Sequence, residues 1–103
     1  MRMFLYTVFD TSSGIHDRPF CAFSDQAAMR SFGDIATDPG HPVGKHPEDF
    51  SLFRIGDFDD NKGMLKGEAP ECLCTALELV SQRKRNNGGE LGEQQIMGVM
   101  PDA

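Results

Sequence analysis

The residues able to ligate a metal or act as nucleophiles are few. Three histidines (His16, His41, His46) and three cysteines (Cys21, Cys72, Cys74) could supply nitrogen and sulfur ligands. Structural zinc needs four such groups at short, paired spacings. The chain has no C-x-x-C, and Pro42 and Pro47 keep a helix from presenting His41 and His46 together. The thiols therefore read as reduced and partly buried. Oxygen ligands are better spaced: Asp57, Asp59, Asn61 and Glu68 fall at the first, third, fifth and twelfth places of a calcium loop. Lys62 stands where that loop needs its turn-forming glycine, and Gly63 comes one place late. The segment reads instead as a hairpin turn whose Asp and Asn side chains bond their own backbone. Ser12 and Ser13 lie near His16 in sequence, which is not a triad. A glycine-rich phosphate loop, GxSxG and HExxH are all missing. The reading is a non-enzymatic protein with no cofactor and no metal.

Aromatic and cationic side chains are the other chemical resource, because bases of single-stranded DNA stack on aromatic rings while cations hold phosphates. The chain has eight Phe and one Tyr, and basic residues interleave with them at Arg18 and Arg54 and follow in the run Arg83-Lys84-Arg85. These five are the candidate phosphate contacts. A second set, His41, His46, Glu48, Asp49, Asp57, Asp59 and Asp60, is the candidate docking surface for a basic partner. Charge weighs between the two. With 10 Lys and Arg against 16 Asp and Glu the net charge is −6, which excludes packaging-type DNA neutralisation and attraction to an anionic membrane. The deficit lies in residues 1–82, with seven basic and thirteen acidic side chains, whereas residues 83–103 balance at three each.

The elements that must position these groups are legible in outline. Residues 3–9 are apolar on both faces and read as a covered strand. Residues 18–23 read as a second strand, with Pro19 at its start. Ser24 caps a helix over 24–37, with Ala28, Phe32, Ile35 and Ala36 on one face. Three prolines and two glycines in 38–47 exclude helix and interior strand. Residues 50–58 and 63–66 form a hairpin around Asp59–Gly63. Leu73, Ala76, Leu77 and Val80 have helical spacing, so 70–82 reads as a second helix, with an edge strand as its competitor. The fold expected is α+β: a small antiparallel sheet with one main helix on a face, a single domain over 1–82, and a basic knot with a flexible tail over 83–103. Asn86-Asn87-Gly88-Gly89 reads as a hinge, and Gln94–Met100 as a segment able to add a strand. The short apolar start stops at Asp10 and carries no cleavage site, so a soluble intracellular protein is expected. A domain this small gains from dimerisation, which also covers strand edges.

Three strings carry a family resemblance: Ala27-Ala28-Met29-Arg30-Ser31-Phe32; Asp38-Pro39-Gly40-His41-Pro42; and His46-Pro47-Glu48-Asp49-Phe50-Ser51-Leu52-Phe53-Arg54-Ile55-Gly56-Asp57-Phe58-Asp59-Asp60. With Tyr6-Thr7-Val8-Phe9-Asp10 and Arg18-Pro19-Phe20 they resemble the small nonstructural protein of gokushovirus-type microviruses, over roughly residues 4–80. The resemblance implies a non-capsid phage protein of the host bacterial cytoplasm. It implies a role in viral DNA replication or in the switch to single-stranded genome synthesis, with single-stranded DNA and viral or host replication proteins as partners. No catalytic residue is implied. The alternative is an acidic protein–protein module that binds a basic viral or host partner without touching DNA.

Overall fold

The computed structural model describes residues 2–88. Five antiparallel strands form one sheet: β1 (Arg2–Asp10), β2 (Ile15–His16), β3 (Phe20–Ala22), β4 (Phe50–Asp59) and β5 (Met64–Thr75). The order is β2-β1-β4-β5, with β3 on the same edge of β1 as β2. Three helices complete the fold: α1 (Asp25–Ala36), the single turn α2 (Pro42–Lys45) and α3 (Ala76–Gly88). The α+β expectation is met.

β1 and β4 sit at the centre because each is apolar on alternating faces and can be paired on both edges. Tyr6 and Leu52 are fully buried between them and α1. Ser24 caps α1 by accepting a hydrogen bond from the Ala27 amide at 3.1 Å. Its buried stripe is Ala28, Phe32 and Ala36, with Ile35 partly covered, and it packs on Tyr6, Leu52, Cys74, Val43 and Ala76. Gly63, with φ +66°, turns the chain from β4 into β5.

Three expectations need correction. The proline-rich stretch is not free of helix: α2 starts on Pro42, whose missing N–H would be unsatisfied there in any case, and a 3-10 turn follows over Pro47–Asp49. Residues 70–82 are neither one helix nor one edge strand. β5 continues through Pro70 to Thr75 because its register shifts twice against β4, and α3 starts only at Ala76. Pro70 is tolerated because it falls in the irregular stretch of β5 between Gly67 and Glu71, where the register shifts against β4. The border drawn at 82 falls inside α3, which continues through Arg83 and the Asn86-Asn87-Gly88 expected as a hinge. The tail segment Gln94–Met100 lies outside the described residues.

Candidate functional site

The helices take one face of the sheet and leave the other. Antiparallel partners share a face, so the register can be followed across the strands. Phe9 pairs with His16 and Ser51, Thr7 with Phe53, Phe53 with Cys72, Met3 with Phe58, and Phe58 with Leu65. None of these side chains is Asp, Glu, Lys or Arg, on a protein of net charge −6. None belongs to the helix-side core. Three rings meet at its β2 end: Phe9 and His16 have centroids 4.5 Å apart, His16 and Phe53 5.3 Å, and Phe9 and Phe53 5.9 Å in an edge-on arrangement. Phe9 and Phe53 are half-buried and His16 is exposed. This is a small aromatic platform on open sheet, the surface on which unstacked bases or a second apolar surface can lie.

The cations proposed for phosphates do not converge on it. Arg54 projects from β4 to the helix side. Its guanidinium holds Asp25 at 2.9 Å and Glu71 at 3.0 Å, lies 3.9 Å from Glu68, and sits 5.6 Å from the centroid of the Phe4 ring. The Asp25 carboxylate, foremost, holds Arg54 firmly in its charged form. Tyr6 donates its buried hydroxyl to the same carboxylate at 2.8 Å. Burial, and then the bond to Asp25, keep that phenol neutral far above its ordinary range. This network ties the start of α1 to β1, β4 and β5 and leaves Arg54 no free charge for a phosphate.

Arg83 is occupied as well. It donates to Thr37 Oγ1 at 3.1 Å and to the Arg30 carbonyl at 3.3 Å, and pairs with Asp34 at 3.2 Å. The approach is possible because position 33 is glycine: a Cβ there would lie 2.7 Å from the Arg83 guanidinium. Arg18, Lys84 and Arg85 are exposed and make no ion pair among the described residues.

The acidic set is divided too. Asp57 is buried and accepts from Arg2 at 3.1 Å. Asp59 binds the turn amides of Asn61 at 2.9 Å and Lys62 at 3.3 Å, while Asp60 is exposed beside it. Asp59 bonds its own turn, as the hairpin-turn reading expects, while Asp57 faces Arg2 and Glu68 lies 3.9 Å from Arg54. Glu48 and Asp49 lie at the opposite end of β4, about 25–35 Å away at ~3.3 Å per strand residue. There His41 caps α2, its Nδ1 accepting from the Val43 amide at 3.1 Å. The Asp49 carbonyl accepts from Thr11, amide and hydroxyl, at 2.8 and 3.0 Å. His46, Glu48 and Asp49 bring one donor atom each within 4.8 Å of one another. The trio is mostly exposed and could gather weakly round a divalent ion, a juxtaposition that the zinc and calcium spacing rules do not detect.

Comparison with known proteins decides the family. A family model described as phage ORF5 protein matches residues 3–79. The chain belongs to the phage ORF5 protein family. No curated protein and no solved structure matches it significantly. The family match takes in the sheet except Arg2, with α1, α2 and the aromatic platform, and stops before Arg83-Lys84-Arg85. Among the described residues no helix is long and apolar enough to cross a membrane.

The platform was only half legible in the sequence. The sequence places Phe9 and Phe53 on strands 3–9 and 50–58 but does not join them with His16, because that meeting depends on the tight turn that folds β2 back on β1. The signal was present: Thr11–Gly14 is a turn, and Gly14 adopts φ +73°.

Proposed function

We propose that this phage protein is a non-enzymatic accessory factor of the microvirus nonstructural type. It acts in the host bacterial cytoplasm, in viral DNA replication or the switch to single-stranded genome synthesis, by binding single-stranded DNA on its open sheet face. The observation that carries the reading is the Phe9–His16–Phe53 platform on a face where the paired strand residues named above include no Asp, Glu, Lys or Arg. Bases stack on such rings whatever their sequence, at about 1–3 kcal/mol each. The acidic remainder of the protein disfavours wrapping or packaging, so contact is local. Of the five candidate phosphate ligands, Arg54 and Arg83 serve the fold, and Lys84 and Arg85 belong to α3 on the helix side of the sheet, leaving Arg18 as the candidate phosphate contact for a strand on the open face.

Fluorescence anisotropy with a labelled oligonucleotide tests this at two salt concentrations. One phosphate contact gives a slope of only about −0.7 in log K against log salt. Phe53→Ala should weaken binding by about 5- to 150-fold, the equivalent of one lost stack, and leave the circular dichroism spectrum unchanged. No binding at low salt, or unchanged affinity in Phe53→Ala, refutes the proposal. The acidic-module alternative has less support, because Glu48–Asp49 and Asp57–Asp60 lie at opposite ends of β4 and form no single surface.

A further inference from the structure

β5 is the long free edge of the sheet. It pairs with β4 on one side, and no described strand pairs with its other side. Residues Met64–Cys72 are all exposed, with Met64 at 62% and Leu65 at 67%. An exposed edge of this length is a template for another strand. Its sequence is unusual in being complementary to itself when reversed. Aligned antiparallel about Gly67, Lys66 stands opposite Glu68, Leu65 opposite Ala69, and Met64 opposite Pro70. Opposite charges meet opposite charges and apolar residues meet apolar ones, twice over by symmetry. Neighbouring registers lose this: a shift by two residues sets Lys66 against Lys66 or Glu68 against Glu68. Parallel in-register pairing also sets like against like. Among the central two-fold registers, the one about Gly67 is the one that sets opposite charges together.

We propose that the protein forms a two-fold symmetric dimer by antiparallel pairing of β5 with β5 of a second copy, centred on Gly67. Lys66 is free for the contact, since its ammonium makes no ion pair among the described residues. Glu68 is held only loosely within its own chain, 3.9 Å from Arg54. A two-fold axis at Gly67 brings two backbones together where neither has a side chain, and the position has open space, with no atom within 4 Å of a Cβ built there. The dimer continues one sheet through both copies and covers Leu65 and Met64. It does not depend on nucleic-acid binding.

Sedimentation velocity of the full chain over a dilution series tests the proposal by charge exchange. The wild type should dimerise. Lys66→Glu alone and Glu68→Lys alone each set like charges opposite and should weaken the dimer about ten- to a hundredfold. The double variant Lys66→Glu/Glu68→Lys recreates the pairs with their signs exchanged and should recover it. Gly67→Cys, with Cys21 and Cys72 replaced by serine, should form an intermolecular disulfide on mild oxidation, because the two introduced thiols face each other across the axis. A monomeric wild type overturns the proposal. So does a dimer indifferent to the single reversals, a double variant that stays as weak as the singles, or a Gly67→Cys chain that fails to cross-link.

Discussion

Two glycines on the helix side have opposite prospects. At Gly44, in α2, an added Cβ would lie 1.8 Å from the Asp38 carbonyl oxygen, 2.6 Å from its carbon and 3.1 Å from the Ile35 oxygen. Carbon and carbonyl oxygen tolerate about 3.3 Å, so the α1–α2 corner must open by roughly 1.5 Å. That displaces the Asp38 carbonyl, which accepts from the His41 amide at 3.0 Å. Overpacking costs about 1–3 kcal/mol and a lost hydrogen bond about 1 kcal/mol. The better helix propensity of alanine returns about 1 kcal/mol. Gly44→Ala should therefore destabilise by about 1–3 kcal/mol, lowering Tm by roughly 5–20 °C. At Gly33 the obstructing atom belongs to the far end of the flexible Arg83 side chain, 2.7 Å away. It can swing off at the loss of exposed contacts worth about 0.2–1 kcal/mol each, against the same gain in propensity. Gly33→Ala should stay within about 1 kcal/mol of the wild type. Thermal melts by circular dichroism, supported by urea titration, decide the order. If Gly44→Ala melts with the wild type, or Gly33→Ala suffers more, the reasoning from backbone against side-chain obstruction is wrong.

Leu52→Ala removes a fully buried side chain beneath α1 and should cost about 2–5 kcal/mol in urea unfolding, a large share of the stability of a domain this size. Tyr6→Phe deletes only the donor to Asp25, which keeps Arg54 at 2.9 Å, so a loss of about 0.5–1.5 kcal/mol is expected. Burial, with Glu78 and Cys72 nearby, pushes the Cys74 thiol up to about 11; a thiol reagent at mildly alkaline pH should modify the exposed Cys21 and Cys72 at once and Cys74 only on unfolding. The Ser12 hydroxyl, foremost, holds Asp10 below its ordinary carboxylate range. A depressed folded-state pKa gives stability that is present above the unfolded value and lost as pH falls through the folded one. Asp10→Asn should accordingly lower stability at neutral pH and flatten the acid limb of the stability–pH curve, as urea titrations at several pH values would show.

Local rules carried much of the architecture. The Ser24 cap and the Ala28–Phe32–Ala36 stripe determine α1 within a few residues of sequence, and the apolar runs of β1 and β4 with the Asp59–Gly63 turn determine the hairpin. Each is a nearest-neighbour matter of backbone preference and periodicity. Where β5 ends and α3 begins was not decided locally, because Leu73 to Val80 suits a helix until the register shifts of β5 against β4 continue the strand to Thr75. The meaning of the charged residues was decided still further away. Arg54 reads as a free cation beside aromatics, yet Asp25 and Glu71, 29 and 17 positions off, claim it; Arg83 reads as a phosphate contact in a basic run, yet Thr37, 46 positions earlier, receives it. The open face follows from the same cause. Composition sets the net charge and supplies the rings, but only the packing of all three helices on one side of the sheet leaves Phe9, His16 and Phe53 together on the open face, since burial is a property of what lies across from a residue and not of the residue itself.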